Sequence, residues 1–367
     1  MKTILLNPGP VTLSDRVRGA LLGPDLCHRE PEFSDLQARI REKLLAVYDL
    51  GGEHWAAVLL TGSGTAAVEA MIASCVPAEG ALVVAENGVY GERMSAIAAA
   101  HRIPVERVAA PWGAEIELSE IERVLAREER VSHLAIVQHE TTTGRLNRLE
   151  PVAALAARYG VRLLLDGVSS FGAEEIRFEE WRLDACAATA NKCLHGVPGT
   201  AFVLVRRDAC ARAPEPPRSV YLNLAEYLAK QDALGTPFTQ SVQTFYALEE
   251  ALSEFLDAGG VSARRALFRE RMARIRRVLE ASGVRPLLGA GETSCVLHAF
   301  ELPEGNSYRA LHDALKRQGF IIYAGQGALS ERVFRVSAMG DIDDAALDRL
   351  EACLQAALPP GGKAVRR

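Results

Sequence analysis

The chain has 367 residues, 49% of them hydrophobic, and a formal net charge of -5, so it can bury a large core and its length favours two domains over one. The mild acidity excludes a basic field for nucleic acid, and no apolar run reaches membrane-spanning length, so neither partner is expected. Its 7 cysteines are scattered without paired C-x-x-C spacing, which argues against a metal or disulfide framework and for a reducing, cytoplasmic setting.

In chain order, MKTILLNPGPV is broken by Pro8 too early for a signal peptide. The basic clusters RVRGALL and RIRRVLE read as solvated helix faces. From about residue 56, short apolar runs alternate with helical patterns: AAVLL then TAAVEAMIASCV, ALVVA then YGERMSAIAAAH, HLAIVQ then PVAALAARYG, and VRLLLD followed by ACAATA and AFVLV. Runs apolar on both faces and separated by helices predict a three-layer α/β/α domain around a mainly parallel sheet. Beyond the proline-rich linker APEPPRS (213–219) come helical stretches near 240–256 and 262–283. CVLHAF, YRALHDALKRQG, FIIYA, VFRVS and DDAALDRLEACLQAAL then predict a smaller C-terminal α/β domain. The expected division is an N-terminal arm at 1–15, a large domain at 16–255 and a small domain at 256–367, whose tail PPGGKAVRR is expected to fray.

Ligands of a parallel sheet sit beyond the carboxyl ends of its strands. After AAVLL stands Thr61-Gly62-Ser63-Gly64-Thr65 before a helix, a layout that can hold a phosphate, although glycine there also serves a plain tight turn. After ALVVA comes Tyr90, a stacking platform or simply a rim residue. HLAIVQ is followed by His139-Glu140-Thr141-Thr142-Thr143, more hydroxyls than an N-cap requires. VRLLLD ends in Asp166, whose burial is costly without a partner unless it caps a helix. Lys192 follows the next strand; alone it reads as a solvated loop residue. A phosphate cradle, an aromatic ring, an acid and a lysine at one sheet edge together match the needs of pyridoxal phosphate.

The blocks TGSGTAAVEA, AENGVYGERM, QHETTTGRLN, LLLDGVSSFGA and ATANKCLHGVPGTAFV resemble those of the class V aminotransferases of pyridoxal-phosphate fold type I. Among these they are most similar to the group that moves the amino group of 2-aminoethylphosphonate to pyruvate. The resemblance runs from NPGPV to FRVSAMGDI and is specific in combination. It implies that Lys192 is the cofactor-bearing lysine and general base, and Asp166 the partner of the pyridine nitrogen. Tyr90 would stack on the ring, Ser63, Gly64 and Thr65 would hold the phosphate, and Thr141 would bond the cofactor near its 3-hydroxyl or ring edge. It further implies a homodimer with shared sites, in which Thr239 of PFTQSVQT reaches the other subunit's phosphate. Arg335 of VFRVS would clamp a keto-acid carboxylate as a planar fork, although by sequence alone it is equally an edge-strand surface residue.

One segment departs from the pattern. DLCHREPEFSDL (25–36) carries His28 and Arg29, similar to a His-Arg pair that contacts a substrate phosphate in other class V members; otherwise Arg29 pairs with Glu30 or Glu32. The departure leaves the substrate open. An alanine or serine:glyoxylate type of aminotransferase is the main alternative. A lyase or desulfurase lacks a convincing cysteine here, and a non-catalytic scaffold is opposed by intact Lys192 and Asp166.

Overall fold

The alternating apolar runs become a sheet whose successive side chains feed two different cores. A computed structural model describes residues 3–358, so the tail PPGGKAVRR lies outside the described residues. In chain order the elements begin with β1 (Ile4–Leu5), α1 (Asp15–Ala20), α2 (Pro31–Ala46), β2 (Trp55–Gly62), α3 (Gly64–Cys75), β3 (Ala81–Glu86) and α4 (Val89–Ala100). Then come β4 (Val105–Ala109), α5 (Leu118–Leu125), β5 (Val131–Val137), the short pair β6 (His139–Glu140) and β7 (Arg145–Leu146), α6 (Leu149–Arg158), β8 (Arg162–Asp166), β9 (Leu183–Thr189) and β10 (Gly199–Arg206). Helices α7 (Arg207–Ala211), α8 (Leu224–Asp232), α9 (Val242–Asp257) and α10 (Gly260–Ala281) lead to β11 (Leu297–Glu301), α11 (Tyr308–Arg317), β12 (Phe320–Ile321), β13 (Tyr323–Ala324), β14 (Val333–Ser337) and α12 (Asp344–Ala357).

The main sheet has seven strands in the order β2-β10-β9-β8-β5-β3-β4. All neighbours are parallel except β10, which is antiparallel to both β2 and β9. Alternate residues point to opposite faces. Ala57, Leu59, Val83, Leu163 and Leu165 therefore join a core with α2, α5, α6 and α9, while Ala56, Val58, Leu60, Val84 and Leu164 join one with α3, α4 and α8. These are the expected three layers, the mainly parallel α/β fold read from the sequence. Edge strand β4 escaped the sequence reading because it is half-exposed and spends Arg107 on an ion pair with buried Glu86 at 2.7 Å, as edge strands often do.

A second sheet, β11-β14-β13, is antiparallel. The run FIIYA is two short strands rather than one: β12 pairs in parallel with the N-terminal β1, and β13 pairs with β14. The N-terminal arm is thus tied to the C-terminal sheet, and Ile4 and Leu6 share a core with Phe300, Phe320 and Phe334. Helix α10 enters that core through Phe268, Met272, Ile275 and Leu279, a helical i, i+4, i+7, i+11 stripe. Arg274 of RIRRVLE is not merely solvated; it holds Asp348 and Glu351 of α12, both at 2.5 Å. The proline-rich stretch 213–219 is likewise not a free linker. Arg218 donates to the carbonyls of Ala73, Val76 and Pro77, satisfying backbone acceptors left at the end of α3. Among the described residues no helix is long and apolar enough to cross a membrane.

At the sheet edge where β9 begins, Asp184 is fully buried and accepts from His133 Nε2 (3.1 Å), Arg162 Nε (2.6 Å) and Arg212 Nη2 (2.8 Å). Burial alone would raise its pKa, but His133 and Arg162 hold it down to about 2. Folding therefore lowers this carboxyl below its unfolded value, so its stabilisation is complete above about pH 4 and is lost as the pH falls toward 2. Asp184→Asn should cost about 3 kcal/mol in urea unfolding at pH 7, with the gap to wild type closing below pH 4. An unchanged midpoint at pH 7 would show that the cluster is not structural.

Candidate active site

Because β10 opposes both β2 and β9, strands β2, β3, β5, β8 and β9 all end at one edge, and β10 begins there. A cavity of about 420 Å³ lies at that edge, and Ser63, Gly64, Thr65, Tyr90, Asp166 and Lys192 all line it. Residues distant in sequence meet because each follows or closes one of these strands.

Ser63 is the N-cap of α3 but makes no side-chain cap bond, so the helix start presents a positive dipole end to the cavity. Gly64 admits no side chain: a Cβ there would lie 2.8 Å from Val168 Cγ1. Arg93, which also lines the cavity, donates through Nη1 to Thr65 Oγ1 (3.2 Å) and stands 4.7 Å from the centre of the Tyr90 ring. The sequence reading missed Arg93, although its place three residues after Tyr90 on α4 puts the two on one helix face.

Lys192 follows β9 in a turn held by Thr189 Oγ1 donating to Asn191 Oδ1 (2.8 Å) and by Gly196 N donating to the Ala190 carbonyl (2.8 Å). Its ammonium donates to the carbonyl of Pro8, so the N-terminal arm closes on the lysine. The neighbouring Gly9 has φ +111°, and a Cβ there would lie 2.7 Å from Lys192 Cδ. Only glycine permits that approach. Burial lowers the Lys192 pKa to about 8, against the raising influence of Cys193 and Asp166. Asp166 ends β8, 5% exposed, with Oδ1 accepting from Val168 N at 2.9 Å. Burial raises its carboxyl to about 6, tempered by the Val168 hydrogen bond and the Lys192 charge. The lysine is thus no solvated loop residue, and the two groups titrate on either side of neutrality.

A second omission is Glu140, noticed in the sequence only as part of a hydroxyl-rich block. It is fully buried. Its Oε2 accepts from the backbone N–H groups of Tyr90 and Gly91 (3.2 and 3.3 Å), and its Oε1 accepts from Thr142 N (3.1 Å) and Oγ1 (2.6 Å). Glu140 therefore caps α4 from another segment, as a carboxylate suits a helix N-terminus, and fixes where Tyr90 begins. The N-cap itself is Gly88, whose absent Cβ would fall within the Glu140 carboxylate.

Thr141 is buried beside this cap, and its hydroxyl has no hydrogen-bond partner. Its carbonyl accepts from Arg335 Nη1 at 2.9 Å, while Arg335 Nε donates to the Ala324 carbonyl at 2.9 Å. Arg335 is not an edge-strand surface residue: β14 is the middle strand of its sheet and Arg335 is 2% exposed. Neither Arg335 nor Thr141 is among the residues that line the cavity; Arg335 docks the small sheet onto the loop after β5. Thr239, His28 and Arg29 stand apart. Thr239 is exposed between α8 and α9, Arg29 is exposed on the loop between α1 and α2, and partly buried His28 leaves Nε2 unpaired; none lines the cavity of its own chain.

Comparison with known proteins gives these features a setting. The family described as aminotransferase class-V matches residues 25–342. Proteins named 2-aminoethylphosphonate–pyruvate transaminase are similar to this chain: that of Burkholderia ambifaria is 36% identical over 369 residues, covering 99% of this chain and 98% of its own. That of Bacillus cytotoxicus is 33% identical over 355 residues, covering 96% of each. Among solved structures, an aspartate aminotransferase of subgroup IV from Thermus thermophilus superposes with a TM-score of 0.87 at 30% identity, covering 97% of this chain and 99% of that one. The fold, the lysine-acid cavity and these matches agree: the chain belongs to the class V aminotransferases, enzymes that work with pyridoxal phosphate.

Proposed function

We propose that this protein transfers the amino group of 2-aminoethylphosphonate to pyruvate, giving phosphonoacetaldehyde and alanine. The observation that carries the reading is the placement of Lys192 and Asp166 in one cavity, titrating near 8 and 6, in a chain at least 33% identical to relatives named for that reaction. The residues fit the cofactor. The uncapped start of α3 suits its phosphate, and the cavity of about 420 Å³ suits its size. Ser63, Gly64 and Thr65 would hold the phosphate, Tyr90 would lie against the ring, and Asp166 would meet the ring nitrogen.

When bound, pyridoxal phosphate supplies the electron sink that makes the carbon beside the substrate nitrogen acidic. The chain supplies the rest. Lys192, kept partly neutral near physiological pH by burial, carries the cofactor and then moves a proton at that carbon as general base. Asp166 holds a proton on the ring nitrogen, an ionised acid stabilised by the cation it creates. Arg335 uses two of its five N–H donors on backbone carbonyls, leaving three for the carboxylate of pyruvate or alanine. Glu140 keeps α4, and with it Tyr90, in register.

The assembly belongs to the same proposal: a homodimer in which Thr239 serves the other subunit's phosphate and the loop of His28 and Arg29 meets a distal substrate anion. It is supported by one large exposed apolar residue on each of those two loops, Leu22 (89% exposed) on that of His28 and Arg29 and Leu234 (62%) on that of Thr239, side chains that a partner would cover.

The direct test of the reaction is product analysis with the purified holoenzyme. 2-Aminoethylphosphonate and pyruvate should give alanine and phosphonoacetaldehyde in equal amounts. Turnover confined to serine or alanine with glyoxylate would replace this reading by the alternative one. Acetylation of the cofactor-free protein should label Lys192 with a rate half-maximal near pH 8, because burial has lowered its pKa to about that value; a midpoint near that of a free lysine would contradict the buried site. Asp166→Asn should retain cofactor but lose roughly a hundredfold or more in turnover. Near-normal turnover would make Asp166 structural.

A further inference from the structure

A cofactor phosphate brings nearly two negative charges, yet Ser63, Gly64 and Thr65 offer it only hydroxyls, backbone N–H groups and a helix dipole. That supply is neutral. Lys192 and Arg93 are the cations that line the cavity. Lys192 is already occupied: its amine donates to the Pro8 carbonyl and feels the charges of Asp166 and Arg93. Arg93 is at the cradle itself, with Nη1 3.2 Å from Thr65 Oγ1. Among the described residues no carboxylate forms an ion pair with it, and its guanidinium stands 4.7 Å from the centre of the Tyr90 ring. A cation over an aromatic ring is steadied without being neutralised.

We propose that Arg93 is the counter-cation of the cofactor phosphate, fixed over Tyr90 and beside Thr65 so that the anion enters a site already oriented to receive it. The proposal rests on the pyridoxal-phosphate reading above and adds a residue to it. It also divides the arginines by task, with Arg93 for the cofactor and Arg335 for the substrate carboxylate. The guanidinium belongs to the phosphate rather than to a substrate phosphonate because its hydrogen bond is to the α3 cradle. A phosphate in that cradle would also complete the charge pair that Arg93 lacks.

Titration of cofactor-free protein with pyridoxal phosphate and with pyridoxal, which lacks the phosphate, separates the possibilities by absorbance alone. Arg93→Gln should weaken pyridoxal phosphate roughly tenfold to a hundredfold, the loss of a charge-assisted contact, while leaving pyridoxal within about twofold. Arg93→Lys, which keeps the charge but not the fork, should fall between. Inorganic phosphate should compete with pyridoxal phosphate for the wild type more strongly than for Arg93→Gln. Equal loss for both ligands would make Arg93 only a prop for Tyr90 and overturn the proposal. So would unchanged binding of both, including the case in which Arg93→Gln impairs only the reaction with 2-aminoethylphosphonate. If Arg93→Gln does not fold by circular dichroism, Arg93→Lys decides in the same way: a selective loss for pyridoxal phosphate supports the proposal, and an equal or absent loss overturns it. A wild-type protein that takes up neither ligand would refute the cofactor reading itself.

Discussion

A sheet covered on both faces has nowhere to place polar chemistry except at its ends. In β2, β3, β5, β8 and β9 the side chains on either face are committed to apolar cores, and the backbone groups are committed to neighbouring strands. What remains is the shared edge at which these strands stop, and the antiparallel β10 closes it by starting there. The site inherits its rigidity from this arrangement. Asp166 is the last residue of β8, Lys192 lies just past β9, and α3 starts just past β2, so their separations are set by strand spacing rather than by flexible loops.

Burial then gives those residues their chemistry. The same exclusion of water that lowers Lys192 raises Asp166, because each pays for being charged in a poorly solvated place. Around them, charged groups are kept in position by backbone partners. Glu140 gathers the N–H groups at the start of α4, Arg335 grips the carbonyls of Thr141 and Ala324, and Thr142 bonds Gln326 at 3.4 Å. The last two contacts join the C-terminal sheet to the loop after β5, while Pro8 brings the N-terminal arm to Lys192. Any shift of the small sheet is therefore felt at Thr141.

How much of this was legible depended on whether local pattern or distant packing decided the outcome. Long apolar runs such as VRLLLD and AFVLV announced their strands, since burial on both faces leaves no other composition. Edge strand β4 did not, because VERVA keeps charged residues toward solvent. FIIYA read as one strand because sequence cannot show that its two halves pair with different partners, one of them the N-terminus. Ser63, Gly64, Thr65, Tyr90, Asp166 and Lys192 could be found because each directly follows or closes a recognisable strand. Glu140 and Arg93 could not be ranked that way, since their roles come from what they touch across the fold. Arg335 illustrates the opposite difficulty: alternation could not tell a surface edge strand from the central strand that β14 is.

The central claim is that Lys192 is the group through which this edge acts. Borohydride reduction of the holoenzyme followed by peptide mapping tests it most directly. The account predicts a single reduced pyridoxyl label on the peptide containing ATANKCLHGVPG, at Lys192. A label on Lys43, Lys230 or any other lysine, or a fully loaded enzyme that takes no label, would contradict it.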